Sequence, residues 1–240
     1  MRLAFISDIH ANIHALNEVA ECLDEESPDK IICVGDVVGY GAYPLECLTW
    51  VREHCEFTVL GNHDFHAVEH SEAYNFNPRA YKALAWTGNQ LKDEDRKWLR
   101  EQPISIVVDD VLVIHGHPMA PEAWLYILDG HQADLALKLV EQSYVVTGHS
   151  HMQGCFFEGE GRTKMIRDEV IHLKGRRAVL NPGSVGQPRD GDARAAFAIF
   201  DTDELTFKLI RIEYDVEGAR DAIIEAGLPR ELGDRLLVGY

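Results

Sequence analysis

The stretch "VLGNHDFH", residues 59–66, places Asn62, His63 and Asp64 in succession directly after a short apolar run. Histidine and aspartate are common metal ligands and proton carriers, whereas asparagine is a neutral amide and no nucleophile. These three residues therefore share a function only if the fold brings other polar groups to the same place. The rest of the chain offers such groups, because four other apolar runs end in a similar way.

Each of these four runs carries aspartate or histidine at its carboxyl end. The runs are "FISDIH" (5–10), "CVGDVVGYG" (33–41), "VIHGH" (113–117) and "VTGHSH" (146–151), and they supply Asp8, His10, Asp36, His115, His149 and His151. Ligands of α/β sheets bind beyond the carboxyl ends of the strands. We therefore expect these six residues to meet Asn62 and His63, although they are far apart in the chain.

Strand-like and helix-like patterns alternate along the first half of the chain. Apolar runs at 2–7, 30–35 and 57–61 alternate with helical periodicity at 12–24, 44–54, 78–87 and 93–101. Such alternation is typical of βαβ units and of a sheet that begins parallel. Residues 104–116 then form two apolar runs around an Asp-Asp pair, which predicts a β-hairpin.

Strands predominate in the second half. A helix at 131–142 and a strand at 144–148 precede strands predicted at 154–158, 165–173, 177–181, 195–201 and 204–214, and helices at 216–227 and 229–238. An α/β half followed by a β-rich half predicts two packed sheets with helices outside. No repeat or flexible linker interrupts the pattern, so we expect one domain over residues 1–240.

The charge of the chain limits its partners. The 40 acidic residues exceed the 23 Lys and Arg residues and give a formal net charge of −17. Acidity of this size repels phosphate backbones, so we expect no binding to nucleic-acid duplexes. A site that handles phosphate in this chain needs a local source of positive charge, for which bound cations are the best candidate.

The sequence also indicates the compartment. No apolar run is long enough to cross a bilayer, and the start "MRLAFISDIH" lacks the pattern of a signal peptide. The five cysteines show no CxxC pairing, which fits a reducing environment better than disulfides or a thiolate zinc site. We therefore expect a cytoplasmic protein that does not bind membranes, whereas its oligomeric state stays open.

The polar residues at the strand ends form a distinct donor set. They offer two aspartates, one asparagine and four histidines besides His63, and no thiolate. Oxygen and nitrogen donors of this kind suit Mn, Fe, Ni, Co or Zn rather than a calcium cage. Seven donors are too many for one ion that stays open to substrate, but they suffice for two ions that share a bridging carboxylate.

The motifs D-x-H, G-D, G-N-H-D, H-G and G-H-x-H occur in this order between Asp8 and His151. Together they resemble the calcineurin-like metallophosphoesterases, in particular the small bacterial-type phosphodiesterases. The resemblance implies an α/β (α+β) fold, namely a four-layer α/β/β/α sandwich of two mixed sheets. It also implies two divalent transition-metal ions, with Mn favoured, at the ends of the strands.

The resemblance further implies a role for each donor. The first ion would be held by Asp8, His10, Asp36 and His151. The second ion would share Asp36 as the bridge and add Asn62, His115 and His149. His63 would be the catalytic histidine that faces the substrate, and it would protonate the leaving oxygen or stabilise the transition state while a metal-bridging hydroxide attacks phosphorus. Asp64 is a candidate for orienting His63, although adjacent side chains often point apart.

Three further residues are candidates for substrate binding. Tyr40 follows Gly39 where protein Ser/Thr phosphatases of this superfamily carry Asp and Arg in G-D-x-x-D-R-G, so this chain lacks their phosphate-binding arginine. Arg79 either contacts phosphate or simply belongs to a helix N-terminus. Arg189, in a segment that resembles NPGSVGxPRDG, either lies near the phosphate or belongs to a turn that leads into a strand.

Three other histidines also allow two interpretations. His66 and His70 have the spacing of a helical ligand pair, but a solvated helix face is the favoured interpretation. His117 either touches substrate or belongs to a turn before Pro118, and the turn is favoured.

The sequence thus predicts a metal-dependent hydrolase of small phosphate esters, with phosphodiesters or nucleotides favoured as substrates. A phosphomonoesterase with the same metal site is the first alternative. A non-catalytic scaffold like the retromer subunit of this fold is the second, but a scaffold has no reason to keep His63 together with all seven donors.

Overall fold

The computed structural model describes residues 1–69, 76–161 and 164–240. Its strands are β1 (Arg2–Ile6), β2 (Lys30–Cys33), β3 (Phe57–Thr58), β4 (Ser105–Val108), β5 (Val111–Ile114), β6 (Tyr144–Val146), β7 (Gly154–Phe157), β8 (Val170–His172), β9 (Ala178–Asn181), β10 (Ala195–Asp201) and β11 (Thr206–Ile212). Its helices are α1 (Ile13–Glu26), α2 (Pro44–His54), α3 (Asn62–Val68), α4 (Pro78–Gln90), α5 (Asp93–Glu101), α6 (Gly130–Lys138), α7 (Val216–Glu225) and α8 (Arg230–Asp234). Short 3₁₀ helices cover Pro121–Ala123 and Arg235–Val238.

The strands form two mixed sheets. The first sheet has the order β3-β2-β1-β10-β11-β8, in which β1, β2 and β3 are parallel and the remaining pairs are antiparallel. The second sheet has the order β4-β5-β6-β9-β7, with β5, β6 and β9 parallel and an antiparallel strand at each edge. Five of these six parallel strands, namely β1, β2, β3, β5 and β6, carry the polar residues at their carboxyl ends.

The core lies in three layers because alternate residues of a strand point to opposite faces. Phe5 of β1 packs between the two sheets with Val113 and Val146 of the second sheet. Ile6, its neighbour on β1, faces the other way and packs in one cluster with Leu16 of α1. Burial of side chains of this size contributes about 1.5–3 kcal/mol each to folding.

The outer face of the second sheet is covered in the same manner. Leu112 and Ile114 of β5 pack in a third cluster with Ala133, Ala136 and Leu137 of α6. The order of layers is therefore helices, sheet, sheet, helix, which confirms the α/β/β/α sandwich predicted from the sequence.

Two elements differ from the sequence-based predictions. Helix α3 was not predicted, because all but one of its seven residues are buried, and its polar residues do not mark a solvent-exposed face with a helical period. The strand predicted at 165–173 is limited to β8 and one isolated bridge between Cys155 and Ile166. Among the described residues, no helix is both long enough and apolar enough to span a membrane.

Candidate metal centre

The structure gathers the polar residues of the five apolar runs at one edge of the sandwich. Asp8 and His10 follow β1, Asp36 follows β2, and Asn62 opens α3 just after β3. His115 follows β5, and His149 and His151 follow β6. Each of these seven side chains belongs to a buried residue that is no more than 8% exposed. Both sheets therefore contribute donors to one buried site.

The donors form two groups, each of which has its ligand atoms close enough together to hold one metal ion. Asp8, His10 and His151 make up one group, and Asp36, His115 and His149 make up another, with the ligand atoms of each group within 4.8 Å of one another. The shortest separations are 3.2 Å, as between His115 Nε2 and Asp36 Oδ2. Two donors on one first-row ion lie ~3.0–3.4 Å apart, because the bonds to the ion are about 2.1 Å long.

Backbone carbonyls orient three of the histidine rings. Nδ1 of His10 lies 3.1 Å from the oxygen of Val38, Nδ1 of His115 lies 2.7 Å from that of Val34, and Nδ1 of His151 lies 2.6 Å from that of Gln187. A carbonyl only accepts, so Nδ1 is the protonated nitrogen of each ring. In the neutral form of each ring, the lone pair of Nε2 is then available to a cation, as in metal-bound histidines generally.

Unsatisfied polar atoms test whether this site suits a metal. Among the described residues, Asn62 Oδ1 is buried without a hydrogen-bond partner, and the buried atoms Asp36 Oδ2 and His115 Nε2 face only each other, at 3.2 Å. Burial of such atoms without a partner is costly, and proteins rarely tolerate it. A divalent cation would satisfy all three, so the residues present fit the metal that the donor set implies.

The backbone is strained at the same positions. Asp8, His10, Asp36, His149 and His151 all have positive φ values, between 49° and 63°. The left-handed conformation is unfavourable by about 1–2 kcal/mol for residues with a Cβ. Strain of this kind collects at functional sites, where the rest of the fold must hold it.

Two glycines allow the donor loops to approach each other. A Cβ at Gly61 would lie 2.1 Å from Oδ1 of Asp36, and a Cβ at Gly148 would lie 2.0 Å from Oγ of Ser7. No larger residue fits at either position without moving the donor loops. The glycines of the G-N-H-D and G-H-x-H motifs therefore serve close packing of the loops.

Hydrogen bonds from the segment 181–191 hold the loops that carry the donors. Ser184 Oγ donates to the carbonyl oxygen of Asp8 at 2.8 Å, and Asn181 Nδ2 donates to that of Gly148 at 3.0 Å. The ring of His151 is held by Gln187, as described above. This segment is therefore a turn with a positioning role, and it also delivers Arg189 to the site.

Burial keeps most of the histidines neutral. It lowers the pKa of His149 to about 3 and that of His63 to about 4. His115 is the exception, because burial favours its neutral form but the neighbouring Asp36 carboxylate raises its pKa to about 9. Burial alone would raise the pKa of Asp36. The charge of the neighbouring His115 ring lowers it and outweighs burial, so the pKa of Asp36 is well below its usual range.

His63 lies at the wall of a cleft above these donors. Its ring packs 4.3 Å from that of Tyr40 and 5.0 Å from that of Phe76, measured between ring centroids. Its Nδ1 has no hydrogen-bond partner among the described residues, and a Cβ at Gly39 would lie 2.4 Å from that atom. His63 also belongs to a third potential metal-binding group, with His10 and Asp36.

Asp64 has a different role from the one predicted. Its Oδ1 accepts from the backbone N–H of Val38 at 3.1 Å, and its Oδ2 accepts from that of Gly61 at 3.2 Å. The carboxylate thus fixes the start of α3 and the loop after β2, and the prediction that it orients the His63 ring is wrong. The physical reason is that a helix N-terminus offers unpaired N–H groups to an acidic side chain in its first turn.

The cleft has a volume of about 530 Å³, which suits a small molecule. Arg189 and Tyr40 lie on its wall, and Arg189 Nη2 approaches the Tyr40 hydroxyl at 3.4 Å. Four other lining residues belong to no motif and could not be found from the sequence: Phe76, Trp124, Tyr126 and Arg235. Tyr126 stacks on the ring of His149 at 3.9 Å between centroids.

Arg79, a candidate for substrate binding, is not among the residues that line this cleft. Its side chain is 61% exposed, and its Nε donates to Glu231 Oε1 at 3.2 Å. It occupies the first turn of α4, where Asn77 caps the helix. The alternative interpretation, a plain helix N-terminus, is the one that the structure supports.

The structure supports the favoured interpretation of His117 but not that of His66. His117 is a turn residue as favoured, because its Nδ1 accepts from Met119 N–H and its Nε2 lies 3.1 Å from the oxygen of Gln132. His66 was expected on a solvated face but is buried and lines the cleft. Its proposed pairing residue, His70, lies outside the described residues.

A two-sheet sandwich with buried carboxylate and imidazole donors at its strand ends defines a metal-dependent hydrolase fold of the phosphoesterase type. The family model of the calcineurin-like phosphoesterase superfamily domain matches residues 1–205, and the chain belongs to this superfamily. The solved structure of a metallophosphoesterase from Sphaerobacter thermophilus superposes with a TM-score of 0.89. It is 36% identical, and the match covers 100% of this chain and 99% of that one.

Two sequence relatives are similar over most of their length. An uncharacterized protein of Methanocaldococcus jannaschii is 35% identical over 242 residues, which cover 99% of this chain and 98% of the relative. A symmetrical bis(5'-nucleosyl)-tetraphosphatase of Methylobacillus flagellatus is 32% identical over 206 residues, which cover 75% of this chain and 73% of the relative. The chain is therefore a phosphoesterase-superfamily hydrolase that acts on phosphate esters.

Proposed function

We propose that this protein is a dinuclear metal-dependent phosphodiesterase that hydrolyses small molecules such as nucleotides. The observation that carries the proposal is the pair of donor groups, Asp8 with His10 and His151 and Asp36 with His115 and His149, at one cleft. A single ion would leave one group of buried donors unsatisfied. Asp36 would bridge the two ions, and Asn62 would complete the second set.

The donor set favours a first-row transition ion, with Mn²⁺ as the first choice and Fe, Ni, Co or Zn as alternatives. When bound, such ions supply an activated water and neutralise charge on the phosphoryl oxygens. The contribution of the chain is to hold the donors in place through the carbonyls of Val34, Val38 and Gln187.

His63 is the best candidate for assistance by a side chain. Its low pKa means that the ring is neutral at pH 7, so it would donate a hydrogen bond to a phosphoryl oxygen rather than deliver a proton. Of the two roles predicted from the sequence, stabilisation of the transition state is therefore the better supported. Arg189 and Tyr40 on the same cleft wall would contact the substrate.

A diester suits the site because it carries one negative charge, which a metal pair can neutralise. The internal phosphates of a dinucleoside polyphosphate also carry one charge each, and the tetraphosphatase relative supports a substrate of that kind. A phosphomonoesterase is the second candidate, and one observation favours it. The Arg189 guanidinium lies beside Tyr40, the position where protein phosphatases of this superfamily carry an arginine.

The test is a measurement of metal content followed by a comparison of two chromogenic substrates. Protein purified with Mn²⁺ should contain two ions per chain. It should hydrolyse bis(p-nitrophenyl) phosphate with higher kcat/KM than p-nitrophenyl phosphate, and phosphopeptides should be poor substrates. A preference for the monoester would establish the second candidate instead, and a protein with no metal and no turnover would support a scaffold.

The remaining expectations about partners are also part of the proposal. We propose a small phosphate ester as the partner, and no duplex or membrane, because the charge of −17 opposes anionic surfaces. The cytoplasm stays the predicted compartment.

A further inference from the structure

We infer that Arg189 and Arg235 form a subsite for a second phosphate group, linked to the one that lies at the metal centre. This inference rests on the proposed function and narrows its substrate class to organic di- and polyphosphates, such as nucleoside polyphosphates. Both arginines line the cleft, and they come from opposite parts of the last third of the chain.

Arg189 is the arginine nearer to the metal donors. Its Nη2 donates to Gln187 Oε1 at 2.9 Å and approaches the Tyr40 hydroxyl at 3.4 Å, while its buried Nε has no partner among the described residues. After burial, its positive charge is the largest contribution that lowers the pKa of His151. The charge of Arg189 therefore acts on the metal donors at the floor of the cleft, and its Nε–H group is available to a ligand.

Arg235 is the second arginine that lines the cleft. It starts the 3₁₀ helix Arg235–Val238, and its Nε donates to the backbone oxygen of Tyr240. Burial lowers the pKa of Arg235, and the positive charge of Arg189 lowers it as well. The charge of Arg235 in turn lowers the pKa of the Tyr40 hydroxyl, although burial raises that pKa more. The two guanidinium groups thus share one partly desolvated region around Tyr40 and repel each other there.

This juxtaposition is unexpected in so acidic a chain. Within residues 1–69, 76–161 and 164–240, the side-chain partners of Arg189 are Gln187 and Tyr40 and that of Arg235 is the main-chain oxygen of Tyr240, so neither guanidinium forms an ion pair with an Asp or Glu side chain although the chain has 40 acidic residues. The cleft lining carries two carboxylates: Asp36, which belongs to the metal donors, and Glu122, which is solvent-exposed. A bound phosphate anion between the guanidinium groups would reduce their repulsion, and the planar fork of arginine matches phosphate oxygens.

The order of charges along the cleft specifies the substrate. The metal donors would neutralise the phosphate under attack, which leaves the two arginines for the next phosphate of the same molecule. A simple diester has no second phosphate and would not use Arg235. An organic polyphosphate would use both, so Arg235 should determine specificity.

The experiment compares two substrates that share adenosine. One is the p-nitrophenyl ester of AMP, which has a single phosphorus, and the other is diadenosine tetraphosphate. Arg235→Ala should lower the ratio of kcat/KM for the tetraphosphate to kcat/KM for the AMP ester by about tenfold or more, the usual effect of losing a charge-assisted contact. Arg235→Lys should keep part of the ratio, because it keeps the charge but loses the fork.

The matched control is Arg230→Ala, which removes the same charge from the exposed helix α8 next to Arg235. It should leave both substrates unchanged. An equal loss on both substrates in the Arg235 variants, or no loss on either, would overturn the inference. If wild-type protein hydrolyses the AMP ester but not the tetraphosphate, the inference fails while the proposed function stands. If it hydrolyses neither ester, the proposed function itself fails.

Discussion

The backbone N–H of His63 donates to Oδ1 of Asp36 at 2.8 Å, which ties the candidate catalytic residue to the candidate metal bridge. This bond occupies one oxygen of the carboxylate and leaves Oδ2 to face the metal donors. The free oxygen points to the donors of the second group, at 3.2 Å from His115 Nε2. The start of α3 and the metal site are therefore held by the same side chain.

Asp36→Asn should remove both metals or weaken their binding sharply. The substitution replaces the charge that holds two cations together with a neutral amide, and it keeps the side-chain shape. Metal content per chain, measured by mass spectrometry after gel filtration, checks this prediction. Asp168→Asn is the control, because Asp168 is exposed and distant in sequence from every donor. Two tightly bound ions and near-normal turnover in Asp36→Asn would refute the dinuclear assignment.

His63→Ala should separate metal binding from chemistry. We expect the variant to keep its metals and to lose roughly 10²–10⁴ in kcat, the usual contribution of an assisting histidine. The measurement pairs metal analysis with the rate on bis(p-nitrophenyl) phosphate, and His131→Ala on the exposed face of α6 is the control. If metal content falls together with the rate, His63 is a ligand, as its grouping with His10 and Asp36 would allow.

Gly39→Ala should lower kcat by displacing the His63 ring. The backbone at Gly39 has φ +92°, and the new Cβ would lie 2.4 Å from His63 Nδ1. Gly159→Ala is a matched control, since Gly159 has φ +79° but nothing within 4 Å of the new Cβ. Both variants should lose about 1–2 kcal/mol of unfolding free energy from backbone strain, whereas only Gly39→Ala should lose activity. Equal kcat values in the two variants would contradict this account.

The metal-free protein should lose stability as the pH falls below about 6.5. Burial lowers the pKa of His63 from 6.5 to about 4, so between these values the unfolded state binds a proton that the folded state does not. The contribution of His63 is therefore fully present above pH 6.5 and is lost as the pH falls toward 4. In chelator-treated protein, His63→Ala should reduce the drop in unfolding free energy between pH 7 and pH 5 by about 1–2 kcal/mol.

Urea unfolding at the two pH values measures this difference, and the comparison cancels the other titrating groups. His131→Ala should follow the wild type in the same experiment. An identical pH dependence for His63→Ala and wild type would show that the ring is solvated in the metal-free protein.

Much of the fold could be predicted because its signals are local. The continuous apolar run of β1 and the period of 3.6 along α1 follow from residues that are neighbours in sequence. The helix α3 escaped prediction because it is buried on nearly all sides. A pattern of polar and apolar residues exists only where one face of an element meets water.

The sequence by itself determined the donor set, since each donor follows a strand whose carboxyl end must lie at the same edge of a sheet. Only the tertiary structure decided what surrounds that set. Arg235 reaches the cleft from the end of the chain, Arg79 turns away to Glu231, and Asp64 binds backbone N–H groups. These contacts depend on how layers pack and on which unpaired groups lie nearby, and no local pattern records either.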